Sequence, residues 1–285
     1  MTAQSVTAPA RRPRELSLRD RDRILSIASP IGLLLVWEIA ARAGLIDTRF
    51  FPAPSSILSL LVQLLNLREA WAQPTLYKTW VALTSGELEM DTAASLQRLF
   101  WGTLFGGVPA LVLGIAMGLS RTTRALVDPL IAATYPIPKS AILPLVLLIF
   151  GLGESSKIFM VAVGVFFPLA INATTGVREI NKIYLDVGRN YKADRWNTFW
   201  TIALPGALPT IVTGFKLGVG IGLILIAIAE MNGAKNGLGF MIWSAWEIFA
   251  VEQMYVGLFM FGLIGITLTV ALNELERIII PWKTS

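Results

Sequence analysis

Cysteine and histidine are both missing from all 285 residues. Without cysteine there is no disulfide framework, no thiolate nucleophile and no sulfur-based metal site. Without histidine the usual general base and the commonest metal ligand are gone as well. The two absences argue against a zinc enzyme and against a nucleophile–base triad. Charge is also scarce. Asp, Glu, Lys and Arg make up 15% of the chain, against roughly 25% in soluble proteins. In their place stand a 54% apolar fraction and a mean hydropathy of +0.64, with apolar runs too long for a soluble core. The net charge of +5 would suit nucleic acid, but most of the excess lies in the N-terminal tail and one loop. Membrane topology would put it there, so no nucleic-acid partner is expected.

A phosphate-binding loop is missing too. Gly151-Leu-Gly-Glu-Ser-Ser-Lys157 has a superficial likeness to one, but Ser156 precedes the lysine and Ile158 follows it. The pattern needs Gly-Lys-Ser/Thr after a strand. No cofactor is expected, and any ATP has to be hydrolysed by another chain.

A helix needs about 20 mainly apolar residues to cross the hydrocarbon core. Six segments qualify, at about 24–45, 99–119, 129–150, 158–176, 211–230 and 253–273. The stretch Leu99 to Leu119 carries no charge, whereas the third segment is interrupted by Pro136, Pro138 and Pro144 and holds Lys139. Lys and Arg in the flanks set the orientation. With the N-terminus inside, Arg11, Arg12, Arg14, Arg19, Arg21 and Arg23 are cytoplasmic, as are Arg121 and Arg124, the basic residues of 178–195, and Arg277 with Lys283. Lys157 and Lys235 fall outside, and the long 46–97 segment holds Arg49, Arg68 and Lys78. Both termini are therefore expected in the cytoplasm. Residues 1–23 read as a polar, topology-setting tail rather than a cleavable signal.

Between the first two spans, Phe51-Pro-Ala-Pro54 punctuates the chain. Ser55 is a candidate cap for a short helix containing Ile57, Leu58, Leu61 and Leu64. Trp71, Tyr77 and Trp80 have the character of headgroup-level anchors. Gly102/Gly106, Gly114/Gly118 and Gly214/Gly218/Gly222 recur at spacing four within spans. Such faces allow close helix packing in lipid, with a gating role as the alternative.

From Asn181 to Leu204 the continuous apolar pattern gives way to an amphipathic one. Ile183, Val187 and Tyr191 fall on one stripe. Asp194 is placed to cap a second helix, in which Trp196, Phe199, Trp200 and Ala203 share a face. Leu204-Pro205 is expected to end that helix, since the residue before a proline is pushed out of the α region. Two short helices presenting aromatics among arginines suit a groove on a partner protein. They equally suit the membrane surface.

Asp186, Gly188 and Leu204-Pro205, with Arg195, Trp196, Thr198, Phe199, Trp200 and Leu208-Pro209, resemble the cytoplasmic coupling loop of ABC-importer permeases of the nitrate, sulfonate, taurine and bicarbonate type. The resemblance extends over most of the chain after residue 33. It includes Trp37-Glu38, Phe51-Pro-Ala-Pro54, Ser95-Leu-Gln-Arg98, Asp128-Pro129 and Pro136-Ile-Pro138-Lys139, then Leu143-Pro144, Phe150-Gly-Leu-Gly-Glu154, Gly214-Phe-Lys216 and Glu230-Met-Asn-Gly233 with Gly237-Leu-Gly239. The region 66–85 has no counterpart. The loop departs from the family pattern at Asp186 for Glu, at Val187 and Gly188 for two alanines, and at Lys192 for Gly. Lys192 predicts either a turn displaced to Asn190 or Asp194, or docking altered in detail.

The resemblance implies an all-α polytopic membrane protein with six transmembrane helices and a type I ABC importer permease fold. It divides the chain into a basic tail 1–23, a first helix with a long external segment 24–98, and a five-helix core 99–285 containing the coupling loop 177–210. It implies a docking loop comprising Asp186, Gly188, Arg189, Lys192, Asp194, Arg195, Trp196, Phe199, Trp200, Leu204 and Pro205. The implied partners are cytoplasmic ABC ATPase subunits, an extracytoplasmic substrate-binding protein, a second permease copy and the lipid bilayer of a bacterial inner membrane. A small anionic solute is the implied cargo. The alternative is a carrier driven by an ion gradient, against which stands the absence of internal repeats.

Ionisable groups at membrane depth are expensive and usually functional. Lys216 and Arg98 lie close to span ends and are expected to snorkel. Glu230, followed by Met231-Asn232-Gly233, is either a pathway or gate group, with Asn232, or a local hydrogen-bonding residue. Lys139 either faces a cavity that attracts an anion or sits near the cytoplasmic face.

Overall fold

A computed structural model describes residues 18–65, 86–180 and 182–282. The basic tail up to residue 17, the aromatic stretch with Trp71, Tyr77 and Trp80, and Asn181 lie outside the described residues. Among the described residues the secondary structure is helical throughout, with no strand. The chain divides into two compact units, residues 1–56 and 57–285.

The first unit is built on α1, Leu18–Arg42, which occupies the place of the first expected span. Its apolar run from Ile24 to Ala41 contains the single charge Glu38. Helix α2, Pro54–Leu64, starts one residue before the expected cap. Ser55 does not cap it with its own side chain. Instead Glu38 accepts hydrogen bonds from the Ser55 backbone N–H (3.0 Å) and hydroxyl (2.7 Å). A carboxylate accepting at a helix N-terminus satisfies the orphan donors and complements the dipole. The pairing links two of the short motifs singled out in the sequence, Trp37-Glu38 and the segment following Phe51-Pro-Ala-Pro54.

The second unit carries four helices long and apolar enough to cross a membrane. These are α3, Glu87–Leu119; α6, Glu154–Arg178; α9, Leu204–Met231, together with the segment leading into it; and α11, Val251–Ile279. A fifth counts if a bent pair is one span: α4, Arg121–Thr134, and the segment from a 3₁₀ turn at Lys139–Ile142 through α5, Leu143–Phe150, meet at 87°. The third expected span, interrupted by prolines in the sequence, is thus broken in the fold as well. Pro136 and Pro138 withhold backbone donors and fix φ there. By length and composition, four of the described helices can cross a membrane, or five with the bent pair counted as one span.

Helix α3 also starts twelve residues before the expected span. Glu87 and Glu89 occupy its first turn, where the helix dipole favours negative charge. Asp91, Ser95 and Arg98 follow at spacings of four and three, so one face of the extension is polar and buried.

The glycine stripe does the close packing expected of it. A Cβ at Gly106 would lie 2.2 Å from Ala162 O, and one at Gly114 2.6 Å from Ala170 O, both on α6. Gly214 and Gly218 on α9 meet Asn172 and Val165 of the same helix at 2.4 and 3.0 Å. Helix α6 is therefore sandwiched between α3 and α9. The core beside these contacts includes Ala110, Met117, Leu169, Ala173, Val177 and Ala207. Large apolar side chains such as Phe100, Val108, Leu148 and Ile266 point outwards. Outward apolar surface on this scale is what a lipid solvent selects and water does not.

Candidate functional site

The ends of α6 and α9 carry two different constellations. At the C-terminal end of α6 the chain enters α7, Lys182–Asn190, and then α8, Arg195–Thr198. Asp194 caps α8 as its residue type predicts, its Oδ1 accepting from Asn197 N at 2.7 Å. The chain does not stop at Leu204-Pro205. It passes through a π turn, Phe199–Ala203, directly into α9. Leu204 N–H bonds to Phe199 O, five residues back. Pro205 lacks an N–H, and its ring would crowd the carbonyl four residues earlier. The wider π turn absorbs that crowding, so the helix bulges where it was expected to end.

The predicted aromatic face is divided. Trp196 is 68% and Trp200 49% exposed, Phe199 is half-buried and Ala203 is buried. The rings of Trp196 and Trp200 meet edge-on at 5.6 Å, and those of Phe199 and Trp200 at 5.3 Å. On α7, Ile183, Tyr184 and Val187 are exposed, as is Tyr191 beyond it. Gly188 is buried, and a Cβ there would lie 2.9 Å from Ile202 Cδ1. That close approach sets α7 against the π turn. Asp186 is exposed on the same helix.

Lys192 does not displace the turn. It adopts the left-handed conformation itself, with φ of 54°, at a cost of about 1–2 kcal/mol for an L-residue. Ala193 N bonds to Gly188 O at 2.9 Å, and Tyr191 N to Val187 O at 3.0 Å. This six-to-one closure of a helix end requires a left-handed residue at its corner. The backbone geometry thus overrides the side chain's preference. Arg189 and Arg195 sit in α7 and α8 of this loop.

The other constellation joins the N-terminal end of α6, the start of α3 and the turn between α9 and α10, Leu238–Glu247. Its centre is Arg98, expected to snorkel but with a side chain only 2% exposed. Nε and Nη2 of Arg98 donate to the two oxygens of Glu154 at 2.5 and 2.7 Å. Nη1 donates to Glu230 Oε1 and to Asn236 O, both at 2.8 Å, and Nη2 donates also to Asn236 Oδ1. The five donors of a guanidinium thereby meet five acceptors. An arginine with this many fixed partners gains nothing by extending to water.

Glu230 is fully buried. Besides Arg98, its carboxylate accepts from the Ser95 hydroxyl (2.8 Å) and from Gly239 N (2.9 Å). Ser95 in turn accepts from Leu238 N at 2.9 Å, and Asp91 Oδ1 accepts from Gly237 N at 2.7 Å. Gly237 has a φ of 111°, and a Cβ there would lie 2.5 Å from Glu230 Cδ. Only glycine fits. Lys157, 1% exposed, donates to Leu152 O, Gly153 O and Gly233 O at 2.6, 2.9 and 3.4 Å. A cavity of about 390 Å³ opens beside the cluster, lined by Gln97, Trp101, Phe105, Glu154 and Asn236 among others.

The remaining expected pathway residues make local contacts. Asn232 donates to Ile228 O at 2.9 Å, closing its own helix end. Lys139 donates to Thr134 O, Tyr135 O and Ile137 O at 2.8, 3.0 and 3.0 Å. Its ammonium lies 4.1 Å from the Phe167 ring centre, within the range of a cation–π contact. It thus caps the broken end of α4. Lys216 pairs with Glu276 and Asn273 of α11 instead of snorkelling. Asp91, Ser95, Glu154, Lys157 and Asn236 were not among the sequence-derived site residues. The 91/95/98 spacing on one helical face was the available signal.

Comparison with known proteins places these features in context. A family model described as "Binding-protein-dependent transport system inner membrane component" matches residues 110–285. The taurine transport system permease protein of Escherichia coli (strain K12) is 35% identical over 266 residues, covering 92% of this chain and 90% of that protein. A putative aliphatic sulfonates transport permease protein of the same organism is 32% identical over 254 residues, with 89% and 90% covered. The bicarbonate transport system permease protein of Synechococcus elongatus is 31% identical over 256 residues, with 89% and 88% covered.

Proposed function

We infer, from the premise that the chain belongs to the family of binding-protein-dependent transport system inner membrane components, that it is the transmembrane permease of an ATP-driven importer. It is a transport permease and not an enzyme. The cargo we assign to it is a small anion of the sulfonate, taurine, nitrate or bicarbonate class, in line with the names of its relatives. The same reading gives it six spans, α1 included, with both termini in the cytoplasm of a bacterial cell. Two copies pair around the pore, an extracytoplasmic binding protein delivers the solute, and separate ABC subunits bind and hydrolyse ATP. The permease itself holds no cofactor.

The observation that carries this reading is the loop from α7 to the π turn. Tyr184, Tyr191, Trp196 and Trp200 stand exposed on a framework whose backbone is fixed by Gly188, the Asp194 cap and Pro205. Exposed aromatics on a pre-formed scaffold are what interface hot spots are made of. We assign this loop to the ATPase groove. The cluster around Arg98 and Glu230 then lies at the extracytoplasmic end, some 37 Å away along the 25 residues of α6. Its hydrogen bonds join α3, α6 and the α9–α10 turn, which supports a role in holding the outer mouth together.

The test is reconstitution. Liposomes holding this chain, its ATPase and its binding protein should accumulate solute only with ATP inside. The chain alone should neither hydrolyse ATP nor take up solute. ATP-independent uptake by the purified chain would establish a gradient-driven carrier instead.

A further inference from the structure

The left-handed corner of the docking loop is occupied by a residue that its backbone does not want. At φ of 54° a glycine would sit without strain, whereas a lysine is held there at a cost. An observed outlier of this kind, kept by its surroundings, is the starting point for a functional reading. Two structural explanations for the lysine fail. Its ammonium makes no hydrogen bond or ion pair with any described residue. The nearest acidic cap, Asp194, is already engaged by Asn197 N. The corner itself is closed by backbone bonds alone, from Ala193 to Gly188 and from Tyr191 to Val187. The side chain plays no part in making the turn.

Its position is informative. Lys192 is exposed and falls in the chain between the exposed Ile183 and Val187 of α7 and the exposed Trp196 and Trp200 that follow. Charges at the rim of an apolar contact steer encounter and select among partners more than they add affinity.

We propose that Lys192 is a specificity residue of the docking loop, its ammonium pairing with a carboxylate at the edge of the groove on this permease's own ATPase subunit. The inference rests on the assignment of the loop to an ATPase. The strain at Lys192 is tolerated because a glycine would keep the loop's shape and lose the charge that distinguishes one ATPase from another.

The substitution Lys192→Gly makes the proposal falsifiable, because glycine relieves strain and preserves the corner. A loop that bound by shape alone would bind the ATPase at least as tightly after this change. The experiment measures ATPase affinity for the full-length permease in nanodiscs as a function of salt, for wild type, Lys192→Gly, Lys192→Arg and Lys192→Glu. We expect Lys192→Gly to be at least as thermally stable as wild type, yet to bind roughly two- to fivefold more weakly, with a flatter salt dependence. Lys192→Arg should retain binding, and Lys192→Glu should lose more than glycine does. Unchanged or tighter binding by Lys192→Gly would overturn the proposal. So would a loss that appears in anionic nanodiscs and vanishes in zwitterionic ones, which would assign the cation to lipid headgroups. Trp200→Ala, run alongside, separates the two levels. If it leaves the complex intact, the docking assignment itself fails. If it weakens the complex while Lys192→Gly does not, only the role of Lys192 falls.

Discussion

Arg98 and Glu230 stand 132 positions apart in the chain and meet at 2.8 Å, with 2% and 0% of their side chains exposed. Neither is held by the other alone. Arg98 is shared with Glu154 and Asn236, and Glu230 with Ser95 and Gly239. The pair is therefore the crossing point of a network that ties α3, α6 and the α9–α10 turn together.

Removing either partner should expose that coupling. A buried ion pair broken on one side costs about 3–5 kcal/mol, because the other charge is left uncompensated. Arg98→Ala strands two carboxylates and should lower the thermal midpoint and folded yield more than Glu230→Ala, which leaves Arg98 with Glu154. The double mutant should be less harmful than the sum of the two, with a coupling of about 1–3 kcal/mol. Thermal unfolding in detergent, followed by size-exclusion yield, measures all three. Additive effects would show that the contact is incidental.

Glu230→Gln separates holding from gating. The amide keeps the size and part of the hydrogen bonding but loses the charge. A residue that only holds the outer mouth should show lower stability with ATP hydrolysis still dependent on loaded binding protein. Hydrolysis that escapes that dependence at unchanged stability would assign Glu230 to the gate.

Two adjacent glycines on α3 offer a steric contrast. A Cβ at Gly106 would meet Ala162 O at 2.2 Å, whereas one at Gly107 has nothing nearer than 3.7 Å. Gly106→Ala should cost about 1–3 kcal/mol through forced backbone separation. Gly107→Ala should be neutral or stabilising, since it removes a helix-interior glycine. Equal effects at the two positions would mean that α3 and α6 are not packed as described.

The π turn can be tested through Pro205. With Pro205→Ala the backbone N–H returns, the turn can relax to regular α-helix, and Trp196 and Trp200 rotate by about 100°, the angle per residue. The expected outcome is an intact, equally stable permease that no longer co-purifies with its ATPase. Because the chain has no cysteine, introduced cysteine pairs between α7 and the turn would report the rotation directly. Unchanged cross-linking and unchanged complex yield would show that the bulge does not position the aromatics.

Much of the helical order was legible because lipid imposes a simple rule, long apolar runs. Leu99–Leu119 and 253–273 are plain in the sequence and lie inside α3 and α11. What composition could not register was polar structure inside those runs. Arg98 reads as a snorkelling residue when only its neighbours in sequence are known, because Glu154, Glu230 and Asn236 arrive from three other segments. Lys139 reads either as a cation facing a cavity or as one near the cytoplasmic face, and what neither reading supplies is the break at Pro136 and Pro138 that turns its ammonium onto carbonyls at and just beyond the end of α4. Local rules failed at two points in the loop from α7 to the π turn, and both failures have a backbone cause. Pro205 bulges a helix instead of ending it, and Lys192 accepts a left-handed corner because the closing bond to Gly188 O demands one. The Asp194 cap was readable because its hydrogen bond is made within three residues.

The packed face of α3 has a repeat that its neighbours cannot count. Gly102, Gly106, Ala110, Gly114 and Gly118 present a small residue to α6 at every fourth position. A slide of α3 by one step, about 6 Å, would put one small residue where another had been over most of the contact. Steric fit alone leaves the register degenerate. Arg98 stands one step before Gly102, and a guanidinium cannot take the place of a glycine against Val161 and Ile158 O. Its five bonds exist in one register only. The polar cluster thus acts on the helix pair as a single buried polar residue acts on a coiled coil, selecting one alignment from several that the apolar surface would accept equally.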